Sequence, residues 1–261
     1  GPAGSVKMLT DVLGLVAPEA LGRGQRLRDS IRQFGQLIGA GSYWELELGA
    51  LLSNLGYAAV PPTILRKVAS DLPLAPVETG ILRRVPKIGH DLLAAIPRLS
   101  GVAAIVLYQN QQYDGGGFPG DGLGGAGLPL GARLLKILAD RATLEADGIV
   151  KQRARDLMVS REGYYDPELL ARCFQCFPDF LAQPLSSELP VRALRVAELR
   201  ADQVVVSDIT TPQNLVLVTA GNRLAAMTLE RLRNYAELGE VKEPVLVQDA
   251  EKEVLPKPPV A

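Results

Sequence analysis

The stretch "YQNQQYDGGGFPG", residues 108–120, decides how the rest of the chain is interpreted. Its glycines, proline and aspartate favour turns and allow backbone angles that are closed to other residues. The stretch fits neither the Walker phosphate-binding pattern nor the G-x-G-x-x-G pattern that follows a strand. Amide side chains precede the glycines, at positions where a catalytic loop would carry histidines. From spacing alone, we expect a structured loop between two helices.

Apolar residues recur with helical spacing on both sides of this loop, from about residue 6 to residue 180. The first stripe holds Val6, Leu9, Leu13 and Val16. Pro86 predicts the beginning of a helix, because proline is tolerated in a first helical turn and costly in a helix interior. The sequence therefore predicts a mainly α protein, with a helical domain over residues 6–183.

The pattern changes after residue 184, where short β-branched runs predict strands: "QVVVSDI" (203–209), "NLVLVTAG" (214–221) and "EPVLVQD" (243–249). Between the last two runs, "AAMTLERLRNYAELG" predicts a helix with Gly239 as its C-cap. We expect a small β-rich (α+β) module over residues 184–250 and a disordered tail over 251–261. The first five residues, "GPAGS", resemble a cloning scar.

Composition excludes several classes of protein. A net charge of −1 and a pI of about 6.0 argue against a nucleic-acid-binding protein. No apolar run approaches the length of a membrane span, and two cysteines cannot form a disulfide framework. We therefore predict a cytoplasmic protein that binds neither nucleic acid nor membrane.

The chain contains one histidine, His90, which limits the metal sites that it could form. Together with Cys173 and Cys176 it could supply three zinc ligands. The alternative is that both cysteines are small core residues of one apolar helix and that His90 is a partly exposed structural residue. The sequence favours this alternative.

The glycine-rich stretch resembles the HD-GYP family, metal-dependent phosphodiesterases that hydrolyse the bacterial messenger cyclic di-GMP. The family carries His-His-Glu-x-x-Asp-Gly-x-Gly-Tyr-Pro here, whereas this chain has Gln109 and Asn110 at the histidine pair and ends the motif with Gly-Phe-Pro. Downstream, "LPLGARLLKILAD" is similar to the family's stretch that leads to a metal-binding aspartate, which is Asp140 here. The family's second aspartate is Thr143.

The resemblance extends upstream, so that it covers residues 6 to 180 and implies an HD-domain-like helical bundle. The family's His-Asp pair is Ser53-Asn54, its lysine is Tyr57 and a ligand histidine is Val85; an earlier one falls at Arg23. Hydroxyl, amide and valine side chains bind divalent metals poorly or not at all. The resemblance therefore implies no cofactor, no catalytic residues and a chain that is not an enzyme.

The resemblance implies a catalytically inactive signalling output domain that acts by protein–protein contact in two-component and cyclic di-GMP signalling. An upstream receiver domain is expected to be missing from this chain, the implied partner is a diguanylate cyclase with a GGDEF domain, and a homodimer is left open. The candidate surface is the turn formed by Asp114, Gly115, Gly117, Phe118 and Pro119.

Within that turn we expect Phe118 to be partly exposed and Asp114 to accept backbone N–H bonds. Two alternative functions stay open: a sensor that binds cyclic di-GMP or another nucleotide without cleaving it, and an enzyme with substituted ligands. In the sensor, Arg133 would contact phosphate. The alternative for Arg133 is a structural salt bridge.

Overall fold

A computed structural model describes residues 2–39, 43–146, 151–176, 189–218 and 220–249. The described chain is mainly helical, with small antiparallel sheets near its C-terminus, as predicted. Its α-helices are α1 (Pro2–Val16), α2 (Pro18–Ile38), α3 (Tyr43–Leu51), α4 (Pro62–Ala69), α5 (Pro76–Arg83), α6 (Val85–Ala94), α7 (Ser100–Tyr108), α8 (Leu130–Ala146), α9 (Lys151–Ser160), α10 (Pro167–Cys176) and α11 (Ala226–Glu237). Its strands are β1 (Arg192–Leu194), β2 (Val204–Val205), β3 (Ile209–Thr210), β4 (Val216–Val218) and β5 (Val245–Gln248).

Contacts divide the chain into two compact units. The first unit draws its described residues from Gly1–Arg26 and Gln183–Leu255, and the second from Leu27–Ala182. The predicted boundary at residue 183 lies outside the described residues and stays a prediction. However, residues 6–26, which the sequence assigned to the helical domain, group with the C-terminal module, so helix α2 contributes to both units.

The second unit is built on a core from α2, α3, α7, α8, α9 and α10. Helical periodicity predicts this core well, because Leu27, Ile31 and Phe34 from one stripe of α2 are all buried. Leu37 continues the same helical spacing, but the structure does not describe its side chain. The core also includes Leu46, Ala50, Ile105, Leu134, Leu135, Ile137, Leu138, Met158, Tyr165, Leu169, Leu170, Cys173 and Phe174.

In the first unit, helix α1 begins within the segment that resembled a cloning scar. Val6 and Leu13 of its predicted stripe are buried, but Val16 is 49% exposed and Ala17 is buried in its place. Near the C-terminus of α1, the guanidinium of Arg231 donates a hydrogen bond to the carbonyl oxygen of Leu15. This contact fastens α1 to α11.

The C-terminal module has more breaks than its sequence predicts. Strands β1, β5 and β2 form an antiparallel sheet in that order, while β3 and β4 form a separate antiparallel pair. The predicted strand over 203–209 is therefore split between β2 and β3, and β1 was not predicted. Gly239 follows α11 with φ of 71°, as expected of a C-cap glycine.

Three further predictions concern the start of α6, membrane-spanning helices and the C-terminal tail. Helix α6 begins at Val85, with Pro86 in its first turn, as predicted. Within the described ranges, no helix has both the length and the apolar character that a membrane crossing requires. The predicted tail, residues 251–261, lies outside the described residues.

Candidate functional site

The loop between α7 and α8, residues 109–129, is called the glycine loop below. Its organiser is Gln111, which is only 2% exposed. The side-chain nitrogen of Gln111 lies 2.9 Å from the carbonyl oxygen of Leu123, 3.1 Å from Oδ1 of Asp121 and 3.2 Å from the carbonyl oxygen of Gly115. Its side-chain oxygen accepts the N–H of Gly120 at 3.0 Å. One buried amide thus holds both arms of the loop.

Asp114 braces the tip of the glycine loop as predicted. Its carboxylate accepts the backbone N–H of Gly116 at 2.9 Å. The backbone N–H of Asp114 donates to the carbonyl oxygen of Gly163, and that of Tyr113 to the carbonyl oxygen of Tyr164, at 2.9 and 3.0 Å. These two bonds anchor the loop on the segment between α9 and α10.

Two glycines of the candidate turn are required by geometry. Gly115 and Gly117 have φ of 95° and 81°, in the region that favours glycine. A Cβ on Gly117 would also lie 2.5 Å from the carbonyl oxygen of Asn110. Phe118 and Pro119 follow, both half-buried, so Phe118 is partly exposed as predicted. The loop is a shaped surface with an accessible aromatic ring.

A tyrosine–carboxylate pair closes the loop on α7. The hydroxyl of Tyr108 donates to Oδ2 of Asp121 at 2.6 Å, and Oδ1 of Asp121 accepts the N–H of Leu123 at 3.0 Å. The hydrogen bond to Asp121 raises the pKa of Tyr108, and the Tyr108 hydroxyl lowers the pKa of Asp121. The pair is therefore stabilised with Tyr108 neutral and Asp121 ionised.

The structure brings together two positions that align with ligands of the HD-GYP family. Gln109 donates its side-chain N–H to the carbonyl oxygen of Ser53 at 2.7 Å and to that of Val106 at 2.9 Å. The Ser53 hydroxyl is buried and donates to the carbonyl oxygen of Ala50 at 2.7 Å. The Gln109 side chain thus links the end of α7 to the residues after α3, whereas the Ser53 hydroxyl bonds back to α3 itself.

Other aligned positions take structural roles or face solvent. Val85 is 3% exposed and packs with Val60 and Ile64, while Tyr57 lies half-buried against the same cluster. The backbone of Val85 also approaches Gly56 so closely that a Cβ there would lie 2.0 Å from the Val85 carbonyl oxygen. The remaining aligned positions, apart from Asp140, are Arg23 and Asn54, both half-buried; Asn110, exposed; and Thr143, exposed with its hydroxyl donating to the carbonyl oxygen of Ala139.

Asp140 lies in a charged cluster that the sequence did not predict. Nζ of Lys136 lies 2.9 Å from Oδ2 of Asp140, the Tyr165 hydroxyl donates to the same oxygen at 2.6 Å, and a guanidinium nitrogen of Arg161 is 3.7 Å away. Arg161 also donates to the Tyr165 hydroxyl at 2.8 Å. Burial and the bond to Asp140 raise the pKa of Tyr165. Lys136 also lies over the rings of Tyr164 and Tyr165.

Arg133 pairs with a carboxylate inside the protein. Its guanidinium lies 2.8 Å from Oδ2 of Asp166, and its Nε donates to the carbonyl oxygen of Leu128 at 3.2 Å. Oδ1 of Asp166 accepts the N–H groups of Glu168 and Leu169, in the first turn of α10. This geometry matches the salt-bridge alternative for Arg133, which links α8 to α10.

The side chains at the aligned positions do not fit a metal centre of the HD type. Hydroxyl and amide groups engaged with backbone carbonyls, a core valine and a carboxylate paired with lysine offer no set of metal ligands. Among the described residues, no three or more His, Cys, Asp or Glu side chains are grouped so that they could hold a metal ion. His90 is partly exposed and pairs with Asp91, and Cys173 is buried in the core; the side chain of Cys176 lies outside the described ones.

Sequence reasoning missed four residues of this region: Gln111, Lys136, Arg161 and Tyr165. The spacing of Lys136 and Asp140, four residues apart on α8, was a detectable signal, because such pairs meet on one helix face. Gln111 stands where the family motif has glutamate, so the alignment with the motif was a second detectable signal. By contrast, the approach of Arg161 and Tyr165 to Asp140 depends on tertiary packing.

Comparison with known proteins identifies the family. The model of the HD domain matches residues 7–169, which is more than half of the chain, so the chain belongs to the HD domain family. No curated protein sequence matches it.

Several solved structures are similar to this chain at low sequence identity. The HDG"Y"P protein Bd1817 from Bdellovibrio bacteriovorus is 18% identical with a TM-score of 0.50, over 61% of this chain and 53% of that one. A cyclic GMP-AMP specific phosphodiesterase from V. cholerae is 15% identical, with a TM-score of 0.48 over 66% and 47% of the two chains. The HD domain of the L. monocytogenes phosphodiesterase PgpH is 14% identical, with a TM-score of 0.43 over 64% and 94%. This chain spans about half the length of the first two.

These findings correct one prediction. The missing ligand histidines led to the prediction that the chain is not an enzyme. That prediction is contradicted, because the chain belongs to the HD domain family. The loss of the expected ligand histidines is therefore not enough to conclude that the chain is not an enzyme.

Proposed function

We propose that this HD-family chain is a signalling domain that acts through protein–protein contact, with the turn from Asp114 to Pro119 as its docking surface. The observation that carries the proposal is the bonding of Gln111, whose buried amide fixes the shape of a loop that keeps Phe118 accessible. A surface that is already ordered loses little conformational entropy when a partner binds. An aromatic side chain beside such a turn is a common anchor of interfaces.

The class of partner follows from the family resemblance. In HD-GYP proteins, the corresponding loop is associated with contacts to GGDEF domains of diguanylate cyclases. We therefore propose a GGDEF-domain partner and a role in cyclic di-GMP signalling, downstream of a receiver domain on the same protein. Half-buried Phe118 and the exposed carboxylate of Asp114 would provide an apolar and a polar contact side by side.

The test is a binding measurement between the purified chain and a purified GGDEF-domain cyclase by isothermal titration calorimetry. A variant in which Asp114–Pro119 is scrambled should lose binding. The control is Leu92→Ala on α6, which removes an exposed apolar side chain from another surface. Binding that survives the scrambled loop, or that Leu92→Ala weakens equally, would overturn the proposal.

A second candidate function, nucleotide binding, is favoured by the cluster at Asp140. Lys136 and Arg161 share one carboxylate, so the cluster keeps an excess positive charge, and the exposed ring of Tyr164 lies beside it. Cations with an accessible aromatic ring suit a phosphate group and a stacked base. Calorimetric titration with cyclic di-GMP should then show binding that Arg161→Ala weakens and Arg155→Ala, on the exposed face of α9, does not.

A further inference from the structure

Three exposed apolar side chains, called the strip below, lie on α4, in the connection after it and at the start of α5. Val68, Leu72 and Val77 are 41%, 55% and 69% exposed. Large apolar side chains cluster on a protein surface mainly where something binds. Six such side chains are exposed among the described residues of the second unit, and half of them lie within this ten-residue stretch: Val68, Leu72, Val77, Leu92, Val159 and Tyr164.

The strip is held in a defined shape. Nζ of Lys67 on α4 lies 2.7 Å from Oε1 of Glu78 on α5, and Oε2 of Glu78 accepts the N–H of Ala75 at 2.8 Å. The N–H of Leu72 donates to the carbonyl oxygen of Lys67 at 2.9 Å. Ile64 of α4 is buried beneath, in the cluster that also contains Val85. A partner would therefore meet an ordered surface and not a loose connection.

Three arginines of the same segment have no carboxylate partner among the described residues. Arg66, Arg83 and Arg84 are exposed, and no ion pair of their side chains is found within the ranges that the structure describes, whereas Lys67 and Lys87 are both paired. Residues 61–94 contain five Lys or Arg and three Asp or Glu, although the whole chain has a net charge of −1. The strip therefore lies in a segment with a net charge of +2, within a chain that is weakly acidic as a whole.

We propose that this surface docks a protein partner that presents an apolar strip bordered by carboxylates. We call it the α4–α5 cap, and it comprises Arg66, Val68, Leu72, Val77, Arg83 and Arg84. Its two helices have eight residues each and are about 12 Å long, which is the length of a two-turn contact at a protein–protein interface. Arginine is enriched at such interfaces, since its planar fork pairs with a carboxylate through two hydrogen bonds.

The chemistry of the cap favours a protein over a lipid surface. A helix that lies on a membrane carries lysine and arginine along one face and large aromatic or leucine side chains on the other, over many turns. The cap instead combines two short helices with a connection that contains Pro73 and ends before Pro76, and its three apolar residues include no aromatic side chain. Carboxylates on a folded or helical partner match its rigid shape and its arginines.

The test uses the full chain and a synthetic amphipathic helical peptide with leucines along one face and glutamates on both flanks, followed by fluorescence anisotropy. We expect saturable binding that weakens by about tenfold or more in the double variant Arg83→Glu/Arg84→Glu and in Val77→Asp, because both remove contacts at the interface. A twin peptide with lysine in place of glutamate should bind at least about tenfold more weakly, because its charges repel the arginines. Circular dichroism checks that each variant keeps its helix content.

The control variants lie on α9 of the same unit. Arg153→Glu/Arg155→Glu reverses two exposed arginines, and Val159→Asp replaces an apolar side chain that is 61% exposed. Both should bind the acidic peptide as the unmodified chain does. The proposal fails if the peptide does not bind saturably, if the cap variants bind normally, or if the control variants lose binding equally. Binding to vesicles of phosphatidylserine and phosphatidylcholine with the same dependence on Arg83 and Arg84 would also overturn it, in favour of a membrane.

Discussion

The hydroxyl of Tyr165 donates a 2.6 Å hydrogen bond to Oδ2 of Asp140, across 25 residues of sequence. Lys136, one turn earlier on α8, and Arg161, just after the end of α9, neutralise the same carboxylate. Asp140, which aligns with a metal-binding aspartate, is therefore stabilised by a lysine, an arginine and a tyrosine hydroxyl of the protein itself. The cluster ties α8 to the segment between α9 and α10, on which the glycine loop also rests through Gly163.

Replacing Tyr165 by Phe should destabilise the chain by about 1–3 kcal/mol, because Asp140 and Arg161 each lose a hydrogen-bond partner at a site that is largely buried. Urea denaturation followed by circular dichroism measures the change. Tyr164→Phe is the matched control, since the neighbouring ring is 36% exposed and contributes to the loop through its backbone. Equal stability of the two variants would contradict the proposed role of the Tyr165 hydroxyl.

The same hydroxyl predicts how stability depends on alkaline pH. Burial and the bond to Asp140 raise the pKa of Tyr165 above its ordinary value of 10.0, so the native state holds this proton more tightly than the unfolded state does. The resulting stabilisation is complete below pH 10 and is lost as the pH rises from 10 towards the raised native pKa. Urea midpoints between pH 9 and 11 should fall less steeply for Tyr165→Phe than for the unmodified chain. Parallel pH profiles of the unmodified chain and of Tyr165→Phe would show that the pKa of Tyr165 is not raised in the native state.

Gln111→Ala should loosen the glycine loop, because its removal leaves the N–H of Gly120 and the carbonyl oxygen of Leu123 without their partner. Hydrogen exchange of the Gly120 amide should accelerate by roughly 5- to 150-fold, which corresponds to a loss of about 1–3 kcal/mol in local opening free energy. Asn110→Ala, at the exposed position next to it, is the control and should leave the exchange unchanged. Unaltered protection in Gln111→Ala would show that the loop is held by other contacts.

The loop shows how far sequence reasoning reached. The bond from Asp114 to the Gly116 N–H follows from local turn chemistry, and it was predicted. The role of Gln111 depends on its burial, which arises when separate arms of the loop close around it. The contact between Tyr165 and Asp140, and the grouping of residues 6–26 with the C-terminal module, likewise depend on tertiary packing. Periodicity identifies which residues of α2 are buried, but not which unit each part of the helix joins.

Gly117→Ala tests the requirement for glycine in the turn, and Gly122→Ala provides a closely matched control. Both glycines have positive φ, 81° and 82°, but a Cβ on Gly117 would lie 2.5 Å from the Asn110 carbonyl oxygen, whereas one on Gly122 meets nothing within 4 Å. We expect Gly122→Ala to cost about 1–2 kcal/mol from its backbone angle alone. Gly117→Ala should cost a further 1 kcal/mol or so from the steric overlap. Equal losses of denaturation free energy would mean that the backbone at Gly117 moves away freely.

Phe118→Ala separates a docking role of the glycine loop from a structural one. The ring of Phe118 is half-buried, so its truncation should cost far less than Phe34→Ala, which removes a fully buried ring of the core at about 3–5 kcal/mol. Binding to the GGDEF-domain partner should weaken by about tenfold or more, since truncated aromatic anchors are costly at interfaces. Urea denaturation and calorimetric titration on the same preparations give both quantities. If Phe118→Ala lowers stability as much as Phe34→Ala and leaves the titration unchanged, the ring belongs to the packing of the loop and the docking surface lies elsewhere.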